Sequence, residues 1–140
     1  MTEADALIKF HDLVAHPEGG FFKETYRSLE VIQTPRGERS VSTAIYYLLK
    51  EGQSSKLHRI QSDEVWHFYQ GDPLIVFERE EDGTIKKTVL GKDFKQGQKV
   101  QYTVPAGRWF GAYLPQGSEY AFVGCTVAPG FDFQDFELFD

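Results

Sequence analysis

The side-chain types of His58 and Glu64, and the spacing between them, would allow these residues to bind a metal or to catalyse a reaction. They lie in GQSSKLHRIQSDEVWHFYQG, which covers residues 52–71. On a β-strand, His58 and Ile60 point to the same face, and Glu64 can return to that face from the next strand after a short turn. A carboxylate in an apolar strand is costly unless it is paired, and a nearby histidine supplies a partner. We therefore predict that His58 and Glu64 converge in one pocket, as metal ligands or as catalytic residues; the alternative is a hydrogen-bonded core histidine.

A second set of candidates lies in FFKETYRS, nearer the N-terminus. Regular alternation along a strand puts Glu24 and Tyr26 on one face and Lys23 and Arg27 on the other, so the four side chains cannot all serve one site. We predict Glu24 and Tyr26 as ligand-binding residues. An ordinary half-exposed strand with outward charges is the alternative.

Aromatic residues near the first motif could form the wall of a ligand pocket. Trp66, Phe68 and Phe110 are predicted to contact a sugar ring or a planar ligand, with packing in the protein core as the alternative. His67 lies an odd number of residues from Glu64, so we expect it to face away from the pocket. The single cysteine, Cys125, sits in an apolar stretch and is expected to be a buried, unreactive thiol.

The elements that position these residues are mostly short strands. Helical spacing of apolar residues, with Thr2 as the cap, predicts one helix over about residues 3–15. Ten segments of β-branched and aromatic residues follow, separated by turn signals such as Asp82-Gly83, which is typical of a hairpin. This pattern predicts a mostly β fold, an antiparallel sandwich or barrel over about residues 20–139. We expect a single domain, residues 1–140.

Composition excludes several classes of function. The chain carries a net charge of −6, and its longest run of basic residues is Lys86-Lys87, so no nucleic acid partner is expected. No uncharged run approaches the ~18–20 residues of a membrane span, and the acidic N-terminal segment differs from a signal peptide. We therefore expect a cytoplasmic protein with no membrane partner.

The stretch that holds His58 resembles the first sequence motif of the cupin superfamily. That motif reads Gly, His-x-His, Glu, Gly, and every spacing matches, although Ile60 replaces the second histidine. The second cupin motif, Pro-x-Gly-x-x-His, resembles PAGRWF at residues 105–110, with Phe110 at the histidine position. Five separated blocks then identify a closer resemblance, to the cupin-5 subfamily of small domains of unknown function: HPEGGFFKETYRS, STAIYYLL, SDEVWHFYQGDPL, VPAGRWFGAYL and VAPGFDFQDFEL.

This resemblance covers about residues 5–139 and carries several implications. It implies a jelly-roll barrel, the cupin double-stranded β-helix, and a homodimer. It also relates the fold to sugar epimerases, isomerases, germins and auxin-binding protein, although a fold does not fix a function. Because two of the four cupin metal positions carry hydrocarbon side chains, we expect no cofactor; a weakly bound divalent metal would use His58 and Glu64.

Three functions remain open from the sequence. The favoured one is a metal-independent epimerase or isomerase acting on a small polar, carbohydrate-like molecule. In it His58 removes a proton next to a carbonyl, Glu64 orients the imidazole, and a pocket tyrosine returns a proton. The second is a non-catalytic barrel that binds a small-molecule ligand. The third is a metal-dependent oxygenase or isomerase with an unrecognised ligand beside His58 and Glu64.

Overall fold

Two antiparallel β-sheets and one helix make up most of the fold in a computed structural model, which describes residues 1–139. The helix α1 spans Glu3–Phe10. Within the described residues the strands are β1 Val14–Ala15, β2 Phe21–Arg27, β3 Val31–Thr34, β4 Gly37–Ser40, β5 Thr43–Lys50, β6 Ser54–Arg59, β7 Asp63–Gly71, β8 Leu74–Arg79, β9 Ile85–Leu90, β10 Gln101–Val104, β11 Trp109–Tyr113, β12 Tyr120–Ala128 and β13 Glu137–Leu138.

The strands divide between a larger and a smaller sheet. The first has the order β1-β2-β5-β12-β7-β10, and the second has the order β13-β6-β11-β8-β9. Strands β3 and β4 form a separate hairpin. Neighbours in sequence therefore often lie in different sheets, as β6 and β7 do, which places His58 on one sheet and Glu64 on the other. The mostly β fold predicted from the alternating pattern is confirmed.

The main hydrophobic core consists of large side chains from both sheets. Trp66, Tyr47, Phe110 and Val76 are each at most 2% exposed. Strand β8 alternates strictly between buried and half-buried residues, as expected for a strand with one face toward a core. A second, smaller cluster lies under α1 and includes Leu48. Burial of this apolar surface is the main force that holds the sheets together.

The helix is shorter than its sequence pattern predicts. Its N-terminus is as expected, because the Thr2 hydroxyl accepts a hydrogen bond from the Asp5 backbone N–H at 3.1 Å. The predicted continuation toward residue 15 is wrong: Asp12 has a φ angle of +55°, and β1 pairs with β2. Strand pairing thus overrides helical propensity here. No helix within residues 1–139 is long and apolar enough to cross a membrane.

Most of the ten predicted strand segments are present, and the Asp82-Gly83 hairpin joins β8 to β9. The C-terminal segment differs, because residues 133–135 form a short 3₁₀ turn and only Glu137–Leu138 pair with β6. Asp132 caps that turn by accepting a hydrogen bond from the Gln134 backbone N–H. Strands β1, β3 and β4 were not among the ten predicted segments. The turn matters for function because it directs aromatic side chains toward the space between the sheets.

Candidate functional site

A cavity of about 320 Å³ lies between the two sheets, within the size range of small-molecule sites. Its walls come from both sheets, from the loop between β1 and β2, and from the C-terminal segment. The lining residues are His16, Glu18, Phe22, Glu24, Arg27, Thr43, Ile45, His58, Ile60, Glu64, Cys125, Val127, Phe131, Asp132, Phe133 and Phe136. His58 and Glu64, predicted to converge, therefore line the same cavity.

His58 lies on β6 with both ring nitrogens engaged by the protein. Nδ1 is 2.6 Å from the Lys56 carbonyl oxygen, which can only accept, so Nδ1 carries a proton. Nε2 lies 2.9 Å from Oε2 of Glu18. The ring also stacks on Phe136, with centroids 5.3 Å apart. Glu18, rather than Glu64, is therefore the carboxylate that orients this imidazole.

The protonation of His58 follows from these contacts. Burial by itself lowers the pKa of the imidazole, but the Glu18 carboxylate, the Lys56 carbonyl and the charge of Glu64 together raise the pKa above its ordinary value. The proton on Nδ1 is fixed by the carbonyl, and a second proton on Nε2 faces Glu18. The raised pKa favours a charged imidazole, and its Nε2 faces the Glu18 carboxylate in the geometry of a buried ion pair.

A tight loop between β1 and β2 brings Glu18 to this position. The Glu18 carbonyl accepts a hydrogen bond from the Lys56 backbone N–H at 3.0 Å, which joins the loop to β6. Gly19 has a φ angle of +113°, and a Cβ atom there would lie 2.1 Å from the Ser54 carbonyl oxygen. Only glycine fits such an approach. The glycine therefore lets the loop place an acidic side chain in the site.

His16, from the same loop, is a neutral member of the cavity wall. Its Nδ1 accepts a hydrogen bond from the Glu18 backbone N–H at 3.1 Å. Burial lowers the pKa of this imidazole, with partial opposition from the Glu18 charge. The ring packs edge-on against Phe22, with centroids 4.5 Å apart. His16 is therefore a hydrogen-bonding and packing residue rather than a second cation.

Glu64 lies on β7 and differs from Glu18 in having no cation of its own. Burial raises the pKa of Glu64 to about 7, and the Glu18 charge adds to the rise, whereas His58 and the Cys125 thiol oppose it. Cys125, on β12, is buried as predicted, and burial raises the pKa of its thiol. At neutral pH the Glu64 carboxyl is balanced between its protonated and ionised forms.

The second group of lining charges departs from the predicted alternation along β2. The pairing of β2 with β5 has a register shift between Glu24 and Tyr26, which is typical of a β-bulge. As a result Arg27 lines the cavity together with Glu24, and Tyr26 does not. Arg27 donates to both carboxylate oxygens of Glu24, at 3.1 and 2.6 Å. Tyr26 is 54% exposed, so its predicted role in this site is wrong.

The three predicted aromatic wall residues lie in the core instead. Trp66, Phe68 and Phe110 are 2%, 7% and 1% exposed, and none of them lines the cavity. Phe110 packs against the His58 ring, with centroids 4.3 Å apart, so it supports the site from behind. His67, as expected, is not in the lining; its Nε2 lies 3.0 Å from the Thr126 hydroxyl.

Several lining residues were not anticipated from the sequence. The aromatic wall comes from Phe22 and from three phenylalanines of the C-terminal segment, Phe131, Phe133 and Phe136. A signal for Glu18 was available, because an acid between His16-Pro17 and two glycines is unusual for a plain turn. The aromatic C-terminal segment had no such signal, because a short 3₁₀ turn does not give a period that can be read from the sequence.

Comparisons with known proteins agree with this architecture. A profile described as Cupin_5, Cupin superfamily (DUF985), matches residues 5–139. The chain belongs to this cupin family. An uncharacterised protein of Saccharomyces cerevisiae is 34% identical over 147 residues, which cover 92% of this chain and 71% of the yeast protein. A solved structure from Shewanella oneidensis is 40% identical with a TM-score of 0.91, covering 100% of this chain and 86% of that one.

More distant cupins share the fold alone. A variant of oxalate decarboxylase from Bacillus subtilis superposes with a TM-score of 0.65 at 18% identity, covering 93% of this chain and 31% of that protein. That enzyme has Mn(II) centres. In this cupin the residues do not fit such a metal: within residues 1–139, no group of three His, Cys, Asp or Glu side chains is arranged to hold an ion. Ile60 and Phe110, at the two remaining motif positions, are buried hydrocarbons without lone pairs.

Proposed function

We propose that this cupin binds a small polar molecule with an apolar face, as a carbohydrate-like compound has, and moves a proton on it as a metal-independent epimerase or isomerase. The observation that carries the proposal is Glu64. It is a buried carboxyl on the wall of the cavity between the sheets, and burial raises its pKa to about 7. A group that titrates near the working pH is the most effective proton donor and acceptor.

The geometry changes the roles that the sequence pattern suggested. His58 cannot act as the base while Lys56 and Glu18 hold its two nitrogens, so Glu64 takes the proton. His58 and Glu18 are positioning residues that set the charge around Glu64. No tyrosine lines the cavity among the described residues, so the returning proton also comes from Glu64 or from water.

Ligand binding without turnover is the second candidate. It is favoured by the same engagement of His58, because Glu64 alone is then left to remove and to return the proton. The two candidates share the cavity and differ only in whether a carbon-bound proton is exchanged. They can therefore be separated with one set of ligands.

Thermal unfolding in the presence of neutral sugars tests the binding step. We would measure the melting temperature with 10 mM glucose, galactose, mannose, xylose or fructose. A sugar that binds with a dissociation constant near 1 mM stabilises the fold by about 1.4 kcal/mol under these conditions. Sugars that stabilise the protein would then be incubated in D₂O with a chelator, and loss of C–H signals would be followed by NMR.

The variant Glu64→Gln identifies the proton-transfer group. We expect deuterium incorporation with the wild-type protein and none with Glu64→Gln. The control is Glu30→Gln, which changes an exposed carboxylate that does not line the cavity and should leave exchange intact. Exchange that survives Glu64→Gln would contradict the assignment of the base. Stabilisation without any exchange would favour the non-catalytic candidate.

A further inference from the structure

The charges that line the cavity are unbalanced toward the acidic side. Four carboxyl groups belong to the wall, from Glu18, Glu24, Glu64 and Asp132. Facing them, within the described part of the lining, are one arginine and two histidines, and His16 is neutral. A ligand that enters this cavity therefore meets more potential negative charge than positive charge.

The guanidinium group of Arg27 is already hydrogen-bonded within the protein. Arg27 donates two hydrogen bonds to Glu24 and a third, from Nη2 at 3.1 Å, to the Phe131 carbonyl oxygen. The negative charge of Asp132 also acts on it. A carboxylate or phosphate on a ligand would have to displace Glu24 before it could form the paired contacts that Arg makes with anions.

The charged histidine is occupied as well. Its Nε2 proton faces Glu18 at 2.9 Å and its Nδ1 proton faces Lys56. Glu64, by contrast, lies on the wall with no counter-ion of its own. The ionised form of Glu64 would repel an anion placed beside it and attract a cation, and the low dielectric of a buried site strengthens both effects.

An aromatic surface lies beside these carboxyl groups. Phe131 and Phe133 pack edge to face with centroids 4.8 Å apart, and Phe133 and Phe136 do so at 6.0 Å. The faces of such rings carry partial negative charge and attract organic cations. They also accommodate the apolar body of a ligand.

We infer that the ligand of this cavity is a small organic ammonium compound, with an apolar body against the phenylalanines and a protonated amine near the carboxyl groups. The inference rests on the proposed binding function and narrows its ligand class, because among small polar molecules it favours those with a protonated amine over neutral sugars. In this respect the cavity differs from sites that bind carboxylates or phosphates through unpaired cationic side chains.

Binding of a cation should also change the protonation of Glu64. The titratable groups that act on Glu64 are Glu18 from the β1–β2 loop, His58 from β6, Cys125 from β12 and Tyr47 from β5. None of these supplies an unpaired positive charge. A bound ammonium would therefore lower the pKa of Glu64, and binding at pH 7 should release protons to the solvent.

Three probes that share a ring and differ only in charge test the inference: benzylamine, benzyl alcohol and benzoate. We would measure their affinities by calorimetry at pH 7 in phosphate and in HEPES, because the difference in heat between the buffers counts released protons. Benzylamine should bind at least about tenfold more tightly than benzyl alcohol, and benzoate should bind most weakly. Glu64→Gln should reduce both the preference and the proton release, whereas Glu30→Gln should change neither.

The outcomes separate this inference from the proposed function. If benzoate binds as tightly as benzylamine, or if Glu64→Gln leaves the preference and the proton release unchanged, the ammonium ligand is ruled out while binding in the cavity stands. If none of the three probes binds at 10 mM, the ammonium inference is also overturned. The proposed function is then decided independently by the sugar panel and the deuterium exchange.

Discussion

Glu64 and Glu78 are both buried carboxyl groups on inward-facing strand positions, and their surroundings differ. Glu78, on β8, is 1% exposed, accepts a hydrogen bond from the Tyr102 hydroxyl, and lies 3.6 Å from Nη1 of Arg108. Glu64 is 9% exposed and borders the cavity, while the cation nearest to it is paired with Glu18. A carboxylate with its own donor and cation is a structural element. Glu64, which has only the weakly donating Cys125 thiol and no cation of its own, is available to a ligand.

Phe110 lies between these two regions. On β11 it pairs with His58 of β6 on one side and with Glu78 of β8 on the other. Its side chain is 1% exposed. The ring thus keeps the polar cavity wall apart from the sealed carboxylate.

Removing this separator should have the largest effect on stability. Phe110→Ala is expected to lower the free energy of unfolding by about 4 kcal/mol, because it removes buried apolar contacts and leaves a void. Urea denaturation measures the loss, and Phe10→Ala, at a position that is 80% exposed, is the matched control with little change expected. A loss below about 1 kcal/mol for Phe110→Ala would mean that the ring is not part of the core.

Glu64→Gln should have the next largest effect, and it should be stabilising at high pH. Because the folded pKa of about 7 lies above the ordinary carboxyl pKa of 4.5, the folded state binds more protons between these two pH values. Stability should therefore fall as the pH rises from about 4.5 to 7, by about 3 kcal/mol in total. The variant lacks this loss, so it should be more stable than wild type at pH 8 and similar to it at pH 4.5.

Urea denaturation at these two pH values checks the sign. His58 adds a further dependence to both proteins, because its raised pKa gives stability that is present below pH 6.5 and is lost as the pH rises through the folded value; this dependence is smaller in Glu64→Gln, which lacks the Glu64 charge that helps to raise the pKa. Glu78→Gln is the contrasting variant, and we expect it to destabilise at both pH values. If both glutamine variants behave alike, the distinction between the two carboxyl groups fails.

Tyr102→Phe tests the sealed carboxylate directly. Removal of the hydroxyl leaves Glu78 without this hydrogen bond. Because a buried acceptor then has no donor, the free energy of unfolding should fall by about 2 kcal/mol. Thermal or urea unfolding measures it. Tyr26→Phe, at a half-exposed position, should be neutral. Since Tyr102 does not line the cavity, the affinity for benzylamine should stay the same, and a large change would show that the two regions are coupled.

The smallest effect on stability is expected for Arg27→Gln. The Arg27 and Glu24 side chains are 45% and 38% exposed, so solvent screens their ion pair and the loss should stay below about 1 kcal/mol. The variant nevertheless frees the Glu24 carboxylate at the cavity wall. Benzylamine should then bind a few-fold more tightly at low salt, which calorimetry can measure. Weaker binding would indicate that Arg27 itself contacts the ligand.

The predictions from the sequence agreed with the structure where a single short-range rule applied. The alternating strands, the Thr2 cap and the shared cavity of His58 and Glu64 follow from strand and helix periods together with motif spacing. Where a local irregularity intervened, the predictions were wrong. A single bulge in β2 exchanged Tyr26 for Arg27 in the site. The homodimer inferred from the resemblance stays a prediction.

The sequence by itself determined that the chain is a mostly β cupin domain with one helix. It also determined that His58 and Glu64 lie in one cavity. Only the tertiary structure decided which partner each of them has. Glu18 reaches His58 from a loop 40 residues away in the chain, and Gly19 permits that approach because it has no Cβ. Likewise, burial raises the pKa of Glu64 to about 7, and the His58 charge that opposes this rise faces another carboxylate, Glu18. Such long-range pairing and burial depend on how the sheets pack, and no period or spacing along the chain encodes them.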